Sequence, residues 1–266
     1  MSDSPSSRWV VSLSSRVSAR LRLFCFPYAG GGVSTYRKWP SAALGQVHLC
    51  AVQLPGRENR LGDPPLTQAP QLVNVLREEL QPYFDIPFAF FGHSMGALIA
   101  FELARKLRQS GGPMPVRLFL SGRRAPHLPP SRPPIHHLPD EEFRHEVRLL
   151  QGTPEEVLGN EELMQIILPV LRADFAVCET YAYSAEEPLA MPLSVFGSNH
   201  DPEVNHDELE AWRSQTTGSM SLRIFEGNHF FLHPMRLALT DAIAHDISAL
   251  PDVDAPKVRE YPGSSG

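Results

Sequence analysis

The sequence predicts an α/β fold in which a mostly parallel sheet is flanked by helices. Short apolar runs alternate along the chain with segments of helical periodicity, and this order of elements builds parallel sheets with right-handed crossovers. The 266 residues are 42% hydrophobic and 20% charged, so the chain can bury a sizeable core. The alternation stops between 125 and 192, where no strong strand pattern occurs.

Strands are predicted where mainly apolar runs stand between turn-forming residues. A short run from Arg8 to Leu13 is followed by a longer one from Leu21 to Phe26, which ends at Pro27 and a glycine-rich turn. The other predicted strands cover 47–53, 88–91, 116–120, 193–196 and 221–225.

Helices are predicted from apolar residues that recur at helical spacing. Ser34 has the residue type of an N-cap and predicts a helix over 36–44. After the strand at 88–91, apolar residues from Ala97 to Leu107 alternate with charged residues at helical spacing. The other predicted helices cover 71–80, 140–150, 161–181, 208–215 and 237–250.

The segment 125–191 opens with a proline-rich run and continues with two helical patterns. Ligands of open α/β sheets bind at the carboxyl ends of the strands, so we expect this segment to be a helical lid inserted after the strand at 116–120. The core then comprises 8–124 and 192–250. We expect a disordered lead at 1–7 and a flexible tail at 251–266.

A serine stands between two glycines at a strand-to-helix corner, in the stretch Gly92-His93-Ser94-Met95-Gly96. This context indicates the nucleophile elbow of serine hydrolases with the α/β-hydrolase fold. The corner strains the backbone of the serine, and the glycines lack the Cβ atoms that would clash there. Ser94 is therefore the candidate nucleophile, with a structural turn serine as the alternative.

A serine nucleophile needs a base and an orienting acid, which follow it in the order acid, then histidine, in elbow-type hydrolases. His229 follows the last strand and is favoured over His233, which lies next to a proline. The strand before the insertion is followed by arginines, whereas the next strand is followed by Asp201, the candidate acid. Two more carboxylates lie further round that loop, Glu203 and Asp207.

The glycine-rich turn after the strand at 21–26 fits neither a P-loop nor a Gly-x-Gly-x-x-Gly motif. In elbow-type hydrolases an early loop supplies one backbone N–H to the oxyanion, and the residue after the serine supplies another. These donors are predicted to be the amides of Ala29 and Met95.

Composition excludes several functional classes. A net charge of -6 argues against nucleic-acid binding, and no apolar run has the ~18 residues of a membrane helix. The three cysteines form no paired metal motif, and the histidines and aspartates near 200–207 match no metal spacing, so no metal is expected. An odd cysteine count and a polar N-terminal segment predict a cytoplasmic protein, which we expect to be a monomer.

The sequence resembles the type II thioesterases of α/β-hydrolase fold, which act beside nonribosomal peptide and polyketide synthases and are related to medium-chain acyl-carrier-protein hydrolases. The resemblance spans nearly the whole chain. Its five segments are Phe26-Pro27-Tyr28-Ala29-Gly30-Gly31, Leu54-Pro55-Gly56-Arg57-Glu58, Phe91-Gly92-His93-Ser94-Met95-Gly96, Leu171-Arg172-Ala173-Asp174-Phe175 and Gly227-Asn228-His229-Phe230-Phe231.

This resemblance implies hydrolysis of aberrant or stalled acyl groups from the phosphopantetheine thiol of acyl or peptidyl carrier proteins, with no cofactor besides the arm on the substrate. It implies a triad of Ser94, Asp201 and His229 and oxyanion donors at Ala29 and Met95. Asn228 stands where the family usually has a second glycine. We expect the loop to tolerate this difference, because asparagine can adopt the left-handed backbone conformation.

Four arginines near predicted strand ends are candidates to meet an acidic carrier protein or the pantetheine phosphate, or else form a solvated basic face. They are Arg57, Arg60, Arg123 and Arg124. We expect Arg172 and Asp174 to be structural, paired with each other or with the core. The apolar lid residues either face an acyl group or pack on the sheet; they are Leu149, Leu150, Leu163, Met164, Ile166, Ile167 and Leu168.

Three other functions stay open from the sequence. The elbow and triad are equally typical of carboxylesterases and lipases that act on oxygen esters, and some relatives release medium-chain fatty acids. The third is a catalytically silent binding module on the hydrolase scaffold, although no triad residue is missing.

Overall fold

A seven-stranded sheet runs through the centre of the computed structural model, which describes residues 8–150 and 159–250. The strands lie in the order β1-β3-β2-β4-β5-β6-β7, with β1 antiparallel to β3 and all other neighbours parallel. Their bounds are β1 Val10–Ser12, β2 Leu21–Phe26, β3 Val47–Val52, β4 Phe88–His93, β5 Leu118–Ser121, β6 Leu193–Ser198 and β7 Met220–Phe225.

Helices cover both faces of the sheet. Their bounds are α1 Ala69–Leu80, α2 Met95–Gln109, α3 Asp140–Leu149, α4 Glu161–Glu179, α5 His206–Glu210 and α6 Arg236–Ser248. Strands β2 and β4 are buried along their whole length, so alternate side chains enter two different cores. Phe24 and Phe90 pack with α1 and α2 on one face, while Cys25 and Phe91 pack with α6 on the other. The predicted mostly parallel sheet flanked by helices is confirmed.

The helix predicted over 36–44 with an N-cap at Ser34 is wrong. Two 3-10 turns stand there instead, Val33–Thr35 and Ser41–Leu44, and Pro40 precedes the second. Proline disfavours helical conformation in the residue before it, which stops a continuous helix. The buried Tyr36 between the turns donates its hydroxyl to the Phe26 carbonyl at 2.6 Å, and this bond ties the turn to the end of β2.

Helices α3 and α4 of the segment 125–191 enclose a third apolar cluster, separate from the two cores of the sheet. Its buried members are Ile135, Phe143, Val147, Met164, Leu168 and Leu171. The second half of α4 leaves this cluster and joins the sheet, where Val177 is fully buried. The segment is therefore built partly on its own core and partly on the core of the sheet.

The predicted lead at 1–7 and tail at 251–266 lie outside the described residues. Within 8–150 and 159–250, no helix is long and apolar enough to cross a membrane.

Candidate active site

The corner between β4 and α2 holds Ser94 in a left-handed backbone conformation, with φ at 53° and ψ at -113°. Non-glycine residues avoid this region, and such strain costs of order 1–3 kcal/mol. The Ser94 N–H donates to the Ser121 carbonyl at 2.8 Å, so the neighbouring strand β5 fixes the corner. The side chain of the strained residue is half-buried at the end of β4, as the elbow pattern predicts.

The two glycines of the elbow are required by close contacts of the backbone. A Cβ on Gly92 would lie 2.1 Å from the carbonyl oxygen of Gly96. A Cβ on Gly96 would lie 2.1 Å from the carbonyl oxygen of Phe26, at the end of β2. Neither position can accept a side chain without a shift of the backbone. Glycine at both positions therefore allows the backbones of β2, β4 and α2 to pack directly against one another at this corner.

His93 lies directly beneath the elbow and is fully buried. Its Nδ1 is 2.9 Å from the Ser121 hydroxyl, and its ring centre is 5.0 Å from that of His229. Burial, followed by the positive charges available on His229 and His233, holds the pKa of His93 well below its ordinary value. His93 is thus a neutral ring packed against His229, and a Cβ on Gly122 would strike it at 2.6 Å.

Asp201 and His229 form a buried pair. The His229 Nδ1 is 2.8 Å from Asp201 Oδ2, and the side chains are 9% and 1% exposed for the histidine and the aspartate respectively. The other carboxylate oxygen, Oδ1, accepts the Glu203 backbone N–H at 2.8 Å. An Nδ1–H that donates to Asp201 leaves Nε2 as the acceptor nitrogen of the ring, which is the tautomer a general base needs.

Hydrogen bonds join the loop after β6 to the loop after β7. The His200 N–H donates to the Gly227 carbonyl at 3.0 Å, and the Ser198 hydroxyl donates to the Asn228 carbonyl at 2.8 Å. Asn228 does not adopt a left-handed conformation; Gly227 does, with φ at 122°. The Asn228 side chain instead accepts the Phe230 N–H at 3.0 Å, so asparagine fits here as a turn residue.

Ser94 and His229 line the same cavity, which has a volume of about 360 Å³. Ala29 and Tyr28 of the glycine-rich turn also line it, and its far wall comes from the insertion, with Leu171 and Phe175 of α4 among the lining residues. Met95 lies beneath, fully buried as the first residue of α2, where a backbone N–H has no carbonyl partner within the helix. The structure thus gathers the predicted serine, histidine and loop residue around one space.

Two carboxylates hold the glycine-rich turn in place. Glu58 accepts the backbone N–H groups of Val33 at 3.2 Å and Ser34 at 2.9 Å. Asp174 of α4 accepts the Gly30 N–H at 2.7 Å. These contacts fix the amides on one side of Ala29, and they keep the turn at its position beside the elbow.

Arg57 connects that turn to the insertion. Its guanidinium donates to both carboxylate oxygens of Asp174, at 2.7 and 2.8 Å, and to the Gly31 carbonyl at 3.0 Å. The two side chains are 7% and 3% exposed. This fork-on-fork geometry is the strong form of the arginine–carboxylate pair, and here it is shielded from water. Asp174 is therefore structural as predicted, with Arg57 rather than Arg172 as its partner.

The structure contradicts the proposed carrier contacts of Arg57 and Arg60, because both are buried. Arg60 pairs with Asp63 at 2.8 Å and lies over the ring of Trp9, with its guanidinium carbon 4.1 Å from the ring centre. Neither guanidinium is available to another protein.

Arg123 and Arg124 are half-buried and line the cavity of Ser94. Their position at the end of β5 agrees with the predicted strand end. What they bind remains a prediction, which the structure restricts to groups that enter the cavity.

The apolar residues predicted to belong to the lid occupy three different environments rather than sharing one role. Met164 and Leu168 are buried in the insertion's own cluster, and Leu150 lines the cavity. Leu149, Leu163 and Ile166 are exposed. Only Leu150 of the predicted set thus both packs in the insertion and faces the cavity, where Val147, Leu171 and Phe175 accompany it.

Two contributions went unrecognised at the level of sequence, the anchoring of the turn by Glu58 and the packing of Tyr28. Glu58 closes one of the five segments on which the family resemblance rests, and its backbone has a positive φ of 49°. Tyr28 packs edge-on against His93 and Phe230 and bonds through its hydroxyl to His233 at 3.0 Å. His233 is thereby engaged away from Asp201, which distinguishes it from His229.

Within the described ranges, no group of three or more histidine, cysteine, aspartate or glutamate side chains is placed to hold a metal ion. Asp201 is occupied by His229, and His206 lies on the surface with its side chain 64% exposed.

A comparison with protein families matches residues 21–250 to a thioesterase domain. The matched span runs from the first residue of β2 to two residues beyond α6, so it includes the whole site and the insertion.

Individual relatives cover almost the same length. The chain is 47% identical over 251 residues to the gramicidin S biosynthesis protein GrsT of Aneurinibacillus migulanus, covering 94% of this chain and 97% of that protein. Among solved structures, it is similar to the thioesterase RedJ from the prodiginine pathway of Streptomyces coelicolor, with 41% identity, a TM-score of 0.81 and coverage of 87% and 92%. It is also similar to YbtT, a type II thioesterase from the yersiniabactin pathway, with 33% identity, a TM-score of 0.81 and coverage of 91% and 100%.

Replacing Ser94 tests the strain at the elbow. Ser94→Gly removes the steric conflict at φ 53°, whereas Ser94→Ala keeps it, and both remove the hydroxyl. We expect the glycine variant to have the higher free energy of unfolding by about 1 kcal/mol, despite the greater freedom of glycine in the unfolded chain. Urea unfolding of the two variants measures the difference, and a lower stability of Ser94→Gly than of Ser94→Ala would contradict the strain at the corner.

Replacing Asp174 tests the buried ion pair. Asp174→Ala leaves the Arg57 guanidinium buried without its partner and removes the acceptor of the Gly30 N–H, so we expect a loss of about 3–5 kcal/mol in the free energy of unfolding. The control is Glu78→Ala, which breaks the exposed pair with Arg77 and should cost less than about 1 kcal/mol. Similar losses in the two variants would contradict the role given to the buried pair.

Proposed function

The chain belongs to the thioesterase family, and we propose that it hydrolyses acyl groups from the phosphopantetheine thiol of acyl or peptidyl carrier proteins. Family membership makes it a thioester hydrolase of the serine hydrolase type, which removes the alternative of a catalytically silent module. The proposal concerns the carrier-bound substrate and the residues that perform the reaction.

The observation that carries the assignment of residues is the buried Asp201–His229 pair, whose histidine lines the same cavity as Ser94. Asp201 holds the tautomer of His229 in which Nε2 accepts a proton, and it stabilises the imidazolium that forms. Ser94 is presented at an elbow whose strain and glycine contacts fix its direction. We assign Ser94 as nucleophile, His229 as base and Asp201 as orienting acid.

In the proposed first half-reaction, His229 takes the proton of the Ser94 hydroxyl while the oxygen attacks the thioester carbonyl. The oxyanion is bound by the amides of Ala29 and Met95, and one such donor is typically worth about 3 kcal/mol. The carbon–sulfur bond then breaks, and His229 returns the proton to the departing sulfur. Acyl-serine and free pantetheine thiol are the products.

In the second half-reaction, water attacks the acyl-serine and His229 takes its proton. The same two amides bind the second oxyanion, and the proton returns to the Ser94 oxygen as the carboxylic acid leaves. The neutral His93 ring packs against His229 throughout and limits its movement. Every proton transfer uses side chains of this protein, so the proposed mechanism requires no cofactor.

The names of the relatives support a carrier protein as partner. GrsT belongs to gramicidin S biosynthesis, RedJ to prodiginine biosynthesis and YbtT to a pathway of nonribosomal peptide and polyketide synthesis. Such synthases hold their intermediates as thioesters on carrier domains, where an aberrant acyl group blocks the assembly line. We propose that this protein clears such groups as a separate, monomeric enzyme.

We further propose that the segment 125–191 acts as the lid of the cavity, because α4 supplies its far wall. A cytoplasmic location is consistent with the three cysteines, none of which forms a disulfide.

Replacing the acid tests the assignment of the triad. We expect Asp201→Asn to lower kcat for a thioester by about 10²-fold or more, because the amide favours the wrong tautomer of His229. The matched control is Asp207→Asn in the same loop, where the side chain is fully exposed and kcat should stay within about twofold. Steady-state kinetics measure both, and equal effects of the two substitutions would overturn the assignment.

The substrate class is tested with two esters that differ by one atom. Butyryl-phosphopantetheine and its analogue with oxygen in place of sulfur are supplied to the wild type, with Ser94→Ala as the blank. We expect higher kcat/KM for the thioester, because thiolate is a better leaving group than alkoxide. Equal or faster turnover of the oxygen ester contradicts the thioesterase assignment and favours a carboxylesterase.

The same experiment on butyryl groups loaded on a holo carrier protein tests the partner. We expect kcat/KM to rise relative to the free phosphopantetheine thioester, because a carrier surface adds binding energy. No gain from the carrier protein would contradict the proposed partner while leaving the hydrolase activity in place.

A further inference from the structure

The wall of the cavity carries charged side chains of both signs, and three of them form contacts with neighbouring polar groups. Arg132 pairs with Glu203 at 2.7 Å. Glu179 pairs with His136 Nδ1 at 2.7 Å and accepts the backbone N–H groups of Ile135 and His136. Both carboxylates that line the cavity are therefore already engaged by neighbouring groups.

The two remaining cations, Arg123 and Arg124, have no carboxylate within ion-pair distance in the part of the chain that the structure describes. Arg124 donates to the Ser131 hydroxyl at 2.9 Å, and Arg123 faces the thiol of Cys178. Burial raises the pKa of Cys178, so the thiol is neutral and supplies no opposing charge. The pKa of Arg124 is lowered, first by burial and then by the charge of Arg123, while the carboxylates of Glu208 and Glu203, which form no ion pair with it, act in the opposite direction.

The backbone of this arginine pair is fixed on both sides. The Gly122 N–H donates to the Phe196 carbonyl at 2.8 Å, and the Arg123 carbonyl accepts the indole N–H of Trp212 at 2.7 Å. Arg123 and Arg124 follow Ser121 by two and three residues, and the Ser121 carbonyl accepts the Ser94 N–H. Two guanidinium groups without an ion-pair partner in the described structure thus line the cavity of the candidate nucleophile.

We propose that Arg123 and Arg124 form an anion subsite that binds a carboxylate carried by the acyl group of the substrate. Partly desolvated cations are costly unless paired, and guanidinium groups match carboxylate oxygens in a two-point geometry. The proposal rests on the proposed thioester hydrolysis and narrows it to a preferred class, the carboxyacyl thioesters, such as half-thioesters of short dicarboxylic acids.

Phosphate shares the same chemistry and is the other source of an anion in the substrate. The phosphate stands at the opposite end of the pantetheine arm from the thioester. The arginines, by contrast, lie two and three residues beyond Ser121, whose carbonyl accepts the Ser94 N–H. This proximity favours an anion on the acyl side of the scissile bond.

The test compares succinyl and butyryl thioesters, which have the same chain length and differ by a terminal carboxylate. Each is made on pantetheine and on phosphopantetheine, and the ratio of kcat/KM for succinyl over butyryl is measured within each enzyme. A ratio taken within one variant does not depend on the amount of folded protein. We expect Arg123→Gln and Arg124→Gln each to lower this ratio by about tenfold or more, on both arms.

The matched control is the double substitution Arg132→Gln with Glu203→Gln, because this ion pair lines the same cavity and its removal leaves the net charge of the wall unchanged, so the ratio should stay that of the wild type. An unchanged ratio in both Arg123→Gln and Arg124→Gln overturns the anion subsite. A loss that depends on the phosphate and is the same for succinyl and butyryl identifies a phosphate site and overturns the carboxylate proposal. Absence of wild-type turnover on all four thioesters would instead contradict the proposed function itself.

Discussion

The site depends on one buried ion pair, between Arg57 and Asp174. The same Asp174 carboxylate accepts the Gly30 N–H, and the same Arg57 guanidinium donates to the Gly31 carbonyl. One interaction thus joins three parts of the chain: the loop after β3, the glycine-rich turn after β2 and helix α4 of the insertion. A buried pair contributes little net stability compared with apolar packing, but removing one partner is severe. Its value here lies in the geometry it imposes on the turn that carries Ala29.

Much of the fold could be predicted because its signals are local. All seven strands and most helices are indicated by apolar runs and periodicity that often end at proline or glycine, as β2 does at Pro27. The helix predicted after the glycine-rich turn is wrong, because Ser34 has the residue type of an N-cap but does not act as one. Pro40 and the hydrogen bond from Tyr36 to the end of β2 determine the structure there instead. The carboxylate that reaches Ser34 comes from Glu58, which no local pattern reveals.

The site could be predicted to the extent that topology alone places residues. Strand ends of a parallel sheet meet at one edge, and this argument selected Asp201 and His229, which the structure brings to 2.8 Å. Burial of charged side chains could not be predicted in the same way. Its place near a predicted strand end makes Arg57 a candidate carrier contact, and no local pattern indicates its buried partner carboxylate, which is 117 positions away in the chain. Arg123 and Arg124 are also arginines near a strand end, yet they have no carboxylate partner in the described structure. Only the three-dimensional structure distinguishes the paired arginine from the unpaired ones.

The insertion has a consequence for how this enzyme can diversify. Its first helix and the first half of α4 pack around Phe143 and Met164 in a cluster apart from both cores of the sheet. Part of the cavity wall, including Val147 and Leu150, therefore belongs to a cluster that packs apart from the sheet. Substitutions in this cluster can accordingly reshape one wall of the cavity without repacking the sheet, as long as Asp174 holds α4 to the core.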